Sequence, residues 1–184
     1  MPTKPLKKGA TYDDLREVPD HFVAEMFDGD LYASPQPALP HANAASTLLT
    51  EIHKSFHHKG PQGWVILSEP ELHFGRDVLV PDVAGWRRTR LPNVPAEAYL
   101  TLAPDWICEV LSPSTEALDR GKKPRIYARE GVAHAWLVDP LARSLEVMSL
   151  EAGRWTQLDR YESEAKVCAA PFDAIEFELG ALWI

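Results

Sequence analysis

The sequence predicts a mixed α/β fold of the α+β type, with a mixed central sheet flanked by helices, a β-hairpin at the N-terminal end and a second hairpin at the C-terminal end. Three observations carry this. The elements run hairpin, helix, strands, helix, strand, hairpin. Two runs, Asp105–Leu111 and Ala135–Val138, are apolar with little alternation, as in strands covered on both faces. No internal repeat or linker interrupts the 184 residues, so the chain reads as one domain, 1–184, able to bury its own core.

Each element follows from local chemistry. Residues 1–10 carry three lysines and two prolines without periodicity and read as a loose tail. Thr11-Tyr12-Asp13-Asp14-Leu15 is a short helix with a Thr cap and acids in its first turn. Phe22–Phe27 and Asp30–Ala33 flank Asp28-Gly29, a strong hairpin signal. The Pro-rich stretch Ser34–Pro40 leads into a helix from about His41 to Lys59, with Ala45, Leu48, Leu49, Ile52 and Phe56 at helical spacing and Gly60-Pro61-Gln62-Gly63 closing it. Strands follow at 64–72 and 77–86 around Gly75, then a Pro-rich connection, Leu91–Pro104, and the strand 105–111. Ser112-Pro113-Ser114-Thr115 opens a helix over 114–130 that Gly131 ends. Ala135–Val138 is a buried strand, Leu145–Leu150 and Trp155–Leu158 form the closing hairpin around Gly153, and Ile175–Ile184 packs apolar residues late in the chain.

Composition narrows the function. The chain is 45% apolar and 25% charged, which excludes disordered and fibrous classes. With 19 Lys+Arg against 27 Asp+Glu the net charge is −8, which excludes a uniformly basic nucleic-acid coat. The distribution is uneven. Residues 86–129 hold eight basic and five acidic side chains, whereas 145–184 hold three and eight, so a local basic patch stays open. The N-terminus lacks the apolar core of a secretory signal, and no apolar run approaches a membrane span. Cys108 and Cys168 sit in strand-like apolar contexts, belong to no metal-type cluster and read as buried free thiols of a cytoplasmic protein.

Two carboxylates stand out. Asp82 follows Pro81 inside Val78-Leu79-Val80-Pro81-Asp82-Val83, and Glu109 lies inside Trp106-Ile107-Cys108-Glu109-Val110-Leu111. A carboxylate in an apolar strand is costly unless paired, hydrogen-bonded or metal-bound. Either each acid pairs with a nearby arginine or ends a strand, or the two share a cation. Their hard oxygens suit Mg²⁺, with the remaining positions left to water and a substrate phosphate. Asp119, Lys123 and Tyr127 follow at i, i+4 and i+8, one face of the next helix. A lysine facing such a site can orient water or neutralise charge on a phosphoryl group.

Glu109-Val110-Leu111-Ser112-Pro113-Ser114-Thr115, Asp119, Lys123, Tyr127-Ala128, Gly131-Val132 and Trp136-Leu137-Val138-Asp139-Pro140 together resemble the signature of the Uma-two family, restriction endonucleases of the PD-(D/E)XK nuclease superfamily. Pro81-Asp82 matches its Pro-Asp motif, and Glu25, Asp28-Gly29, Ser34-Pro35 and His41 match its opening pattern. The resemblance spans about residues 20–150. It implies a restriction-endonuclease-like fold, hydrolysis of DNA phosphodiester bonds dependent on Mg²⁺ or Mn²⁺, and a homodimer suited to two strands. Asp82 and Glu109 would hold the metal, Lys123 would position water, and Glu25 would be a further acid at the site's edge, with His41, Asp119 and Tyr127 at its periphery. The superfamily's usual lysine position, two residues after the strand acid, is here Leu111, so the lysine comes from the helix. Pro124 after Lys123 predicts a kink or restart there. Two other readings stand beside this one: a catalytically silent dimer of the same fold serving as a binding module, and a hydrolase of small phosphoesters.

Other signals resolve more plainly. His53 and His57 have zinc-pair spacing but no third ligand beside them, and His58 adds nothing to the pair, so a solvated helix end explains them. Gly121-Lys122 resembles a P-loop only in part, because Glu116 and Lys123 break the pattern. Ser112 and Ser114 read as helix caps rather than nucleophiles, and Trp64, Trp86, Trp106 and Trp136 read as core. Arg87, Arg88, Lys122 and Arg125 flank the motif residues and are candidate phosphate contacts.

Overall fold

The computed structural model describes residues 4–57 and 63–184. The expected end of the long helix, with His58 and Gly60-Pro61, lies outside the described residues, as does the start of the tail. Thr11 caps α1 (Tyr12–Arg16) through a capping box with Asp14. Strands β1 (Phe22–Phe27) and β2 (Asp30–Pro35) pair antiparallel. Asp28 (φ 57°) and Gly29 (φ 79°) are both left-handed, as a two-residue hairpin turn of the favoured hand requires. Residues 6–10, expected as part of a loose tail, are instead held against this hairpin. Leu6 N–H and Ala10 N–H donate to Leu31 O and Gly29 O, and Leu31 N–H donates to Lys7 O. Backbone pairing of this kind leaves no periodicity in the side chains.

Helix α2 (Leu39–Phe56) has Pro40 in its first turn, where a missing N–H costs nothing, and buries His41, Ala44, Leu48 and Ile52 on one face. The two long strands expected at 64–72 and 77–86 are each broken once. The segments are β3 (Trp64–Ser68), β4 (Glu71–Phe74), β5 (Asp77–Leu79) and β6 (Val83–Arg87). β3 pairs with β6 and β4 with β5, so one hairpin ribbon passes through two sheets. It bends at Glu69, whose φ is +46°, and at Pro81-Asp82, and Glu69 N–H donates across the bend to Asp82 O at 3.0 Å.

After β7 (Tyr99–Leu100) come the fully buried β8 (Trp106–Val110) and the short helices α3 (Glu116–Asp119) and α4 (Lys122–Arg129). The single helix expected over 114–130 is interrupted at Arg120-Gly121, ahead of Lys123. Pro124 therefore falls in the first turn of α4 and leaves the helix intact beyond it. A Cβ on Gly121 would lie 2.6 Å from Ala117 O, which accounts for glycine at the break. β9 (His134–Asp139), β10 (Ser144–Glu151), β11 (Arg154–Glu162), β12 (Lys166–Val167), β13 (Phe177–Glu178) and a 3₁₀ turn at Leu179–Leu182 complete the chain.

One sheet has the order β2-β1-β5-β4-β7, and the larger one the order β11-β10-β9-β8-β6-β3. The larger sheet is mixed, with β8 and β9 parallel and its other pairs antiparallel. The C-terminal hairpin continues this central sheet, and β11 bulges opposite Val147 and Met148. Both faces of the larger sheet are covered. Trp64, Trp106, Cys108 and Trp136 pack with α2 and Phe172 on one side. Val65, Trp86, Ile107 and Ala135 pack with α4 and the smaller sheet on the other. The four expected core tryptophans are fully buried, as is Cys108, whereas Cys168, expected to be buried, is exposed directly after β12. Among the described residues no helix is long and apolar enough to cross a membrane.

Candidate active site

Period-2 alternation along β8 sends Trp106, Cys108 and Val110 to the α2 side and Glu109 to the opposite side, beneath α3 and α4. Val83 pairs with Cys108, so the next register position places Asp82 opposite Glu109, at the bend where the ribbon changes sheet. Glu25 comes from the smaller sheet. Its neighbour Met26 pairs with Val78, and Glu25 Oε1 accepts from Val80 N–H at 2.9 Å, two residues before Asp82. Asp119 ends α3 and Lys123 lies in the first turn of α4, and their i, i+4 relation survives the break between the helices.

The Lys123 ammonium is the hub. It lies 3.0 Å from Glu25 Oε1, 3.1 Å from Glu109 Oε2 and 3.1 Å from Asp119 Oδ1, and all four side chains are at most 5% exposed. Tyr127, one helical turn further, donates its hydroxyl to Glu109 Oε1 at 2.6 Å. Asp82 is held from two sides. Val110 N–H donates to Oδ2 at 2.7 Å, and His41 Nε2 lies 3.2 Å from Oδ1. The tail end of the first hairpin and the bend close the mouth. Val23, Ser34, Pro37 and Glu69 join the acids around a cavity of about 40 Å³, room for about one water. Past His41, Glu69 and Asp82 it opens into a cleft of about 330 Å³ along α2, lined by Ala45, Ser46 and Leu49.

The electrostatics are those of carboxylates crowded out of water. Burial pushes Glu109 well above the usual carboxylate range. Lys123 opposes this, and Asp119, Asp82 and Glu25 reinforce it. Burial also raises Glu25, against the pull of Lys123 and the Val80 N–H. For Lys123 burial works downward, but Asp119, Glu109 and Glu25 outweigh it and hold the ammonium well above lysine's ordinary value. Tyr127 is raised by burial and by Glu109. For His41 burial is outweighed by the hydrogen bond and charge of Asp82, so its value is raised.

The structure therefore brings Glu25, His41, Asp82, Glu109, Asp119, Lys123 and Tyr127 into one cluster. Glu25, expected at the edge, and Asp119 and Tyr127, expected at the periphery, make direct contacts within it. The candidate phosphate contacts are elsewhere. Arg87 ends β6, five residues beyond Asp82 and so about 16 Å along the strand, with its guanidinium 4.3 Å over the Trp64 ring. Arg88 donates to Trp64 O and Pro92 O. Lys122 lies 5.4 Å over the Tyr32 ring. Arg125 is exposed and, two residues on from Lys123, projects from nearly the opposite side of α4. Glu69 is the residue at the mouth that sequence reasoning missed; only its non-glycine left-handed φ marks it, and this has no sequence signal. His53 and His57 stack at 4.0 Å at the helix end, and His57 Nδ1 accepts from Ile66 N–H. Ser112 Oγ bonds to Ser114 and Thr115 in the turn before α3, but neither serine caps the helix as expected: the N-cap is Thr115, and no side chain caps the first turn.

The donor set fits a hard divalent cation. Asp82 and Glu109 offer carboxylates at facing register positions, and three buried acids with the half-buried Asp82 carry charge that Lys123 alone does not offset. Among the described residues no group of three or more His, Cys, Asp or Glu is placed to hold a metal ion, so a cation here would rest on Asp82 and Glu109 with water or phosphate completing its shell.

Comparison with known proteins agrees with the fold. A family model, Uma2, described as "Putative restriction endonuclease", matches residues 10–179. The crystal structure of "a putative nuclease belonging to DUF820" from Anabaena variabilis superposes with a TM-score of 0.70 at 23% identity, covering 94% of this chain and 96% of that one. No curated protein matches the chain.

Proposed function

The chain belongs to the Uma2 family, and from that premise we propose that it is a metal-dependent endonuclease hydrolysing phosphodiester bonds of DNA. The observation that carries this is the single buried cluster in which the Lys123 ammonium meets Glu25, Glu109 and Asp119, with Asp82 opposite Glu109 in the strand register. In this reading Asp82 and Glu109 hold Mg²⁺ or Mn²⁺, and a cation bound there supplies Lewis-acid polarisation of the phosphate and acidifies bound water.

The chain's own residues do the rest. His41 and the Val110 N–H fix the Asp82 carboxylate from two sides. Tyr127 fixes Glu109. Lys123, kept charged by its acidic neighbours, orients the attacking water and offsets charge growing on the phosphoryl oxygens. The cleft along α2 extends the site on one side of Asp82, room that a polymer such as DNA uses and a small phosphoester does not need. A homodimer would present one such site to each strand.

The test is nicking of supercoiled plasmid with Mg²⁺ or Mn²⁺. Wild type should nick, and Asp82→Ala, Glu109→Ala and Lys123→Ala should each lose activity by at least about 100-fold. Activity surviving the first two substitutions would overturn the metal assignment. An inert wild type that binds no metal would support the silent binding module instead.

A further inference from the structure

Behind Lys123 lies a second cavity, of about 220 Å³, between α3–α4 and the larger sheet. Its floor is Ile107 from β8, Ala135 and Leu137 from β9 and Met148 from β10, and its outer wall is Trp155 from β11. That indole is fixed, because its Nε1–H donates to Pro124 O at 2.8 Å. Glu109 and Asp119 belong to both cavities, so they form a partition between them.

The polar groups around this cavity are unequally spent. Each donor already has a partner: Tyr127 bonds to Glu109, Trp155 to Pro124, and Arg120 to Glu116 and Glu146. The acceptor side is not exhausted. Asp119 is 2% exposed, and among the described residues its Oδ1 makes no hydrogen bond, only the ion contact with Lys123. Of the three carboxyl groups on the lining, Glu109 is spent on Tyr127 and Lys123 and Glu146 on Arg120 and Arg160, which leaves Asp119, held only by its contact with Lys123. Apolar walls, spent donors and one under-bonded carboxylate select a ligand that is small, largely apolar and supplies its own N–H groups.

We propose that this cavity is a binding site for a small apolar amine, its hydrocarbon part lying among Leu137, Met148 and Trp155 and its ammonium on Asp119. The volume holds roughly seven water-sized groups, which suits a single aromatic ring bearing a short amine. Bound there, the ammonium shares Asp119 with Lys123 and loosens the lysine from its acids. This coupling rests on the nuclease reading above, whereas the binding does not.

The probe is benzylamine, with toluene as the ring lacking the ammonium, titrated into the full chain without metal or DNA. Calorimetry is read alongside tryptophan emission. Trp155→Phe should abolish the emission change, since Trp64, Trp86, Trp106 and Trp136 are sealed in the core and Trp183, bonded to Ser163 O, does not line the cavity. Benzylamine should saturate and bind about 10-fold tighter than toluene. Asp119→Asn should bring the two within about 3-fold, and Leu137→Trp, which fills the cavity, should abolish both. Met148→Trp fills the same space should Leu137→Trp fail to fold by circular dichroism. Absence of saturation by about 10 mM, equal binding of the two probes, or binding that survives the filled cavity would overturn the proposal. A protein that binds benzylamine but cuts no plasmid would keep this site and remove the nuclease reading.

Discussion

The Tyr127 hydroxyl donates to Glu109 Oε1 at 2.6 Å, with both groups sealed from water. With Lys123 on Oε2 at 3.1 Å, each oxygen of a carboxyl buried in a central strand has its own donor, one neutral and one charged. A strand position as apolar as 109 tolerates an acid only on such terms.

Tyr127→Phe removes the neutral donor and leaves the ring in place. The orphaned oxygen should cost about 1–3 kcal/mol in a urea melt, and metal-dependent nicking should fall about 10–100-fold, the usual effect of losing a residue that orients a metal ligand. Unchanged nicking with the expected loss of stability would confine Tyr127 to a packing role.

Lys123→Met keeps the bulk of the side chain and removes its charge. Three acids then face one another without a cation, and the fold should lose about 3–5 kcal/mol near neutral pH. The loss should shrink in mildly acid buffer, where the freed carboxyls take up protons. A loss independent of pH would contradict the charge cluster.

Glu109 also predicts how stability depends on pH. Its folded value is raised well above the ordinary 4.5 by burial, so the folded state holds the proton more tightly than the unfolded chain does. Its stabilising contribution is complete below about pH 4.5 and is lost as pH rises through the folded value. The stability of wild type relative to Glu109→Gln, followed by denaturant melts from acid to neutral pH, should therefore decline with rising pH. A difference that grows with pH would mean that Lys123 outweighs burial.

Gly85→Ala tests the core beneath the site. A Cβ there would lie 3.2 Å from ring atoms of both Trp64 and Trp106, which are fully buried on either side. The rings must shift, and the substitution should cost about 1–3 kcal/mol in a thermal or urea melt. No loss at all would show slack between the two indoles.

Much of this was legible in the residues themselves. Asp28-Gly29 announced a hairpin, and Asp82 and Glu109 announced neighbouring strands because each is an acid in an otherwise apolar run. The shared helical face of Asp119, Lys123 and Tyr127 held even though Gly121 divides the helix, since the break preserves the angular step. What stayed hidden depends on distant partners. Nothing local to Ser68-Glu69-Pro70 says that the ribbon leaves one sheet for another, and nothing in residues 6–10 says that their backbone lies along the first hairpin. Arg87 and Arg88 are close to Asp82 in sequence, but an extended strand carries five residues about 16 Å along its axis, away from the site. Pro124 pointed to a break near Lys123, and glycine crowded against Ala117 O placed it at Gly121 instead.

The ribbon that bends at Glu69 and Asp82 belongs to both sheets at once, and Asp82 stands at its fold line. A ligand gripping Asp82 would splice the two sheets together, as a pin through a hinge stops both leaves from swinging. Occupancy of so small a pocket should therefore be felt as slower backbone amide exchange in β4 and β5 as well as in β3 and β6, well beyond the side chains it touches.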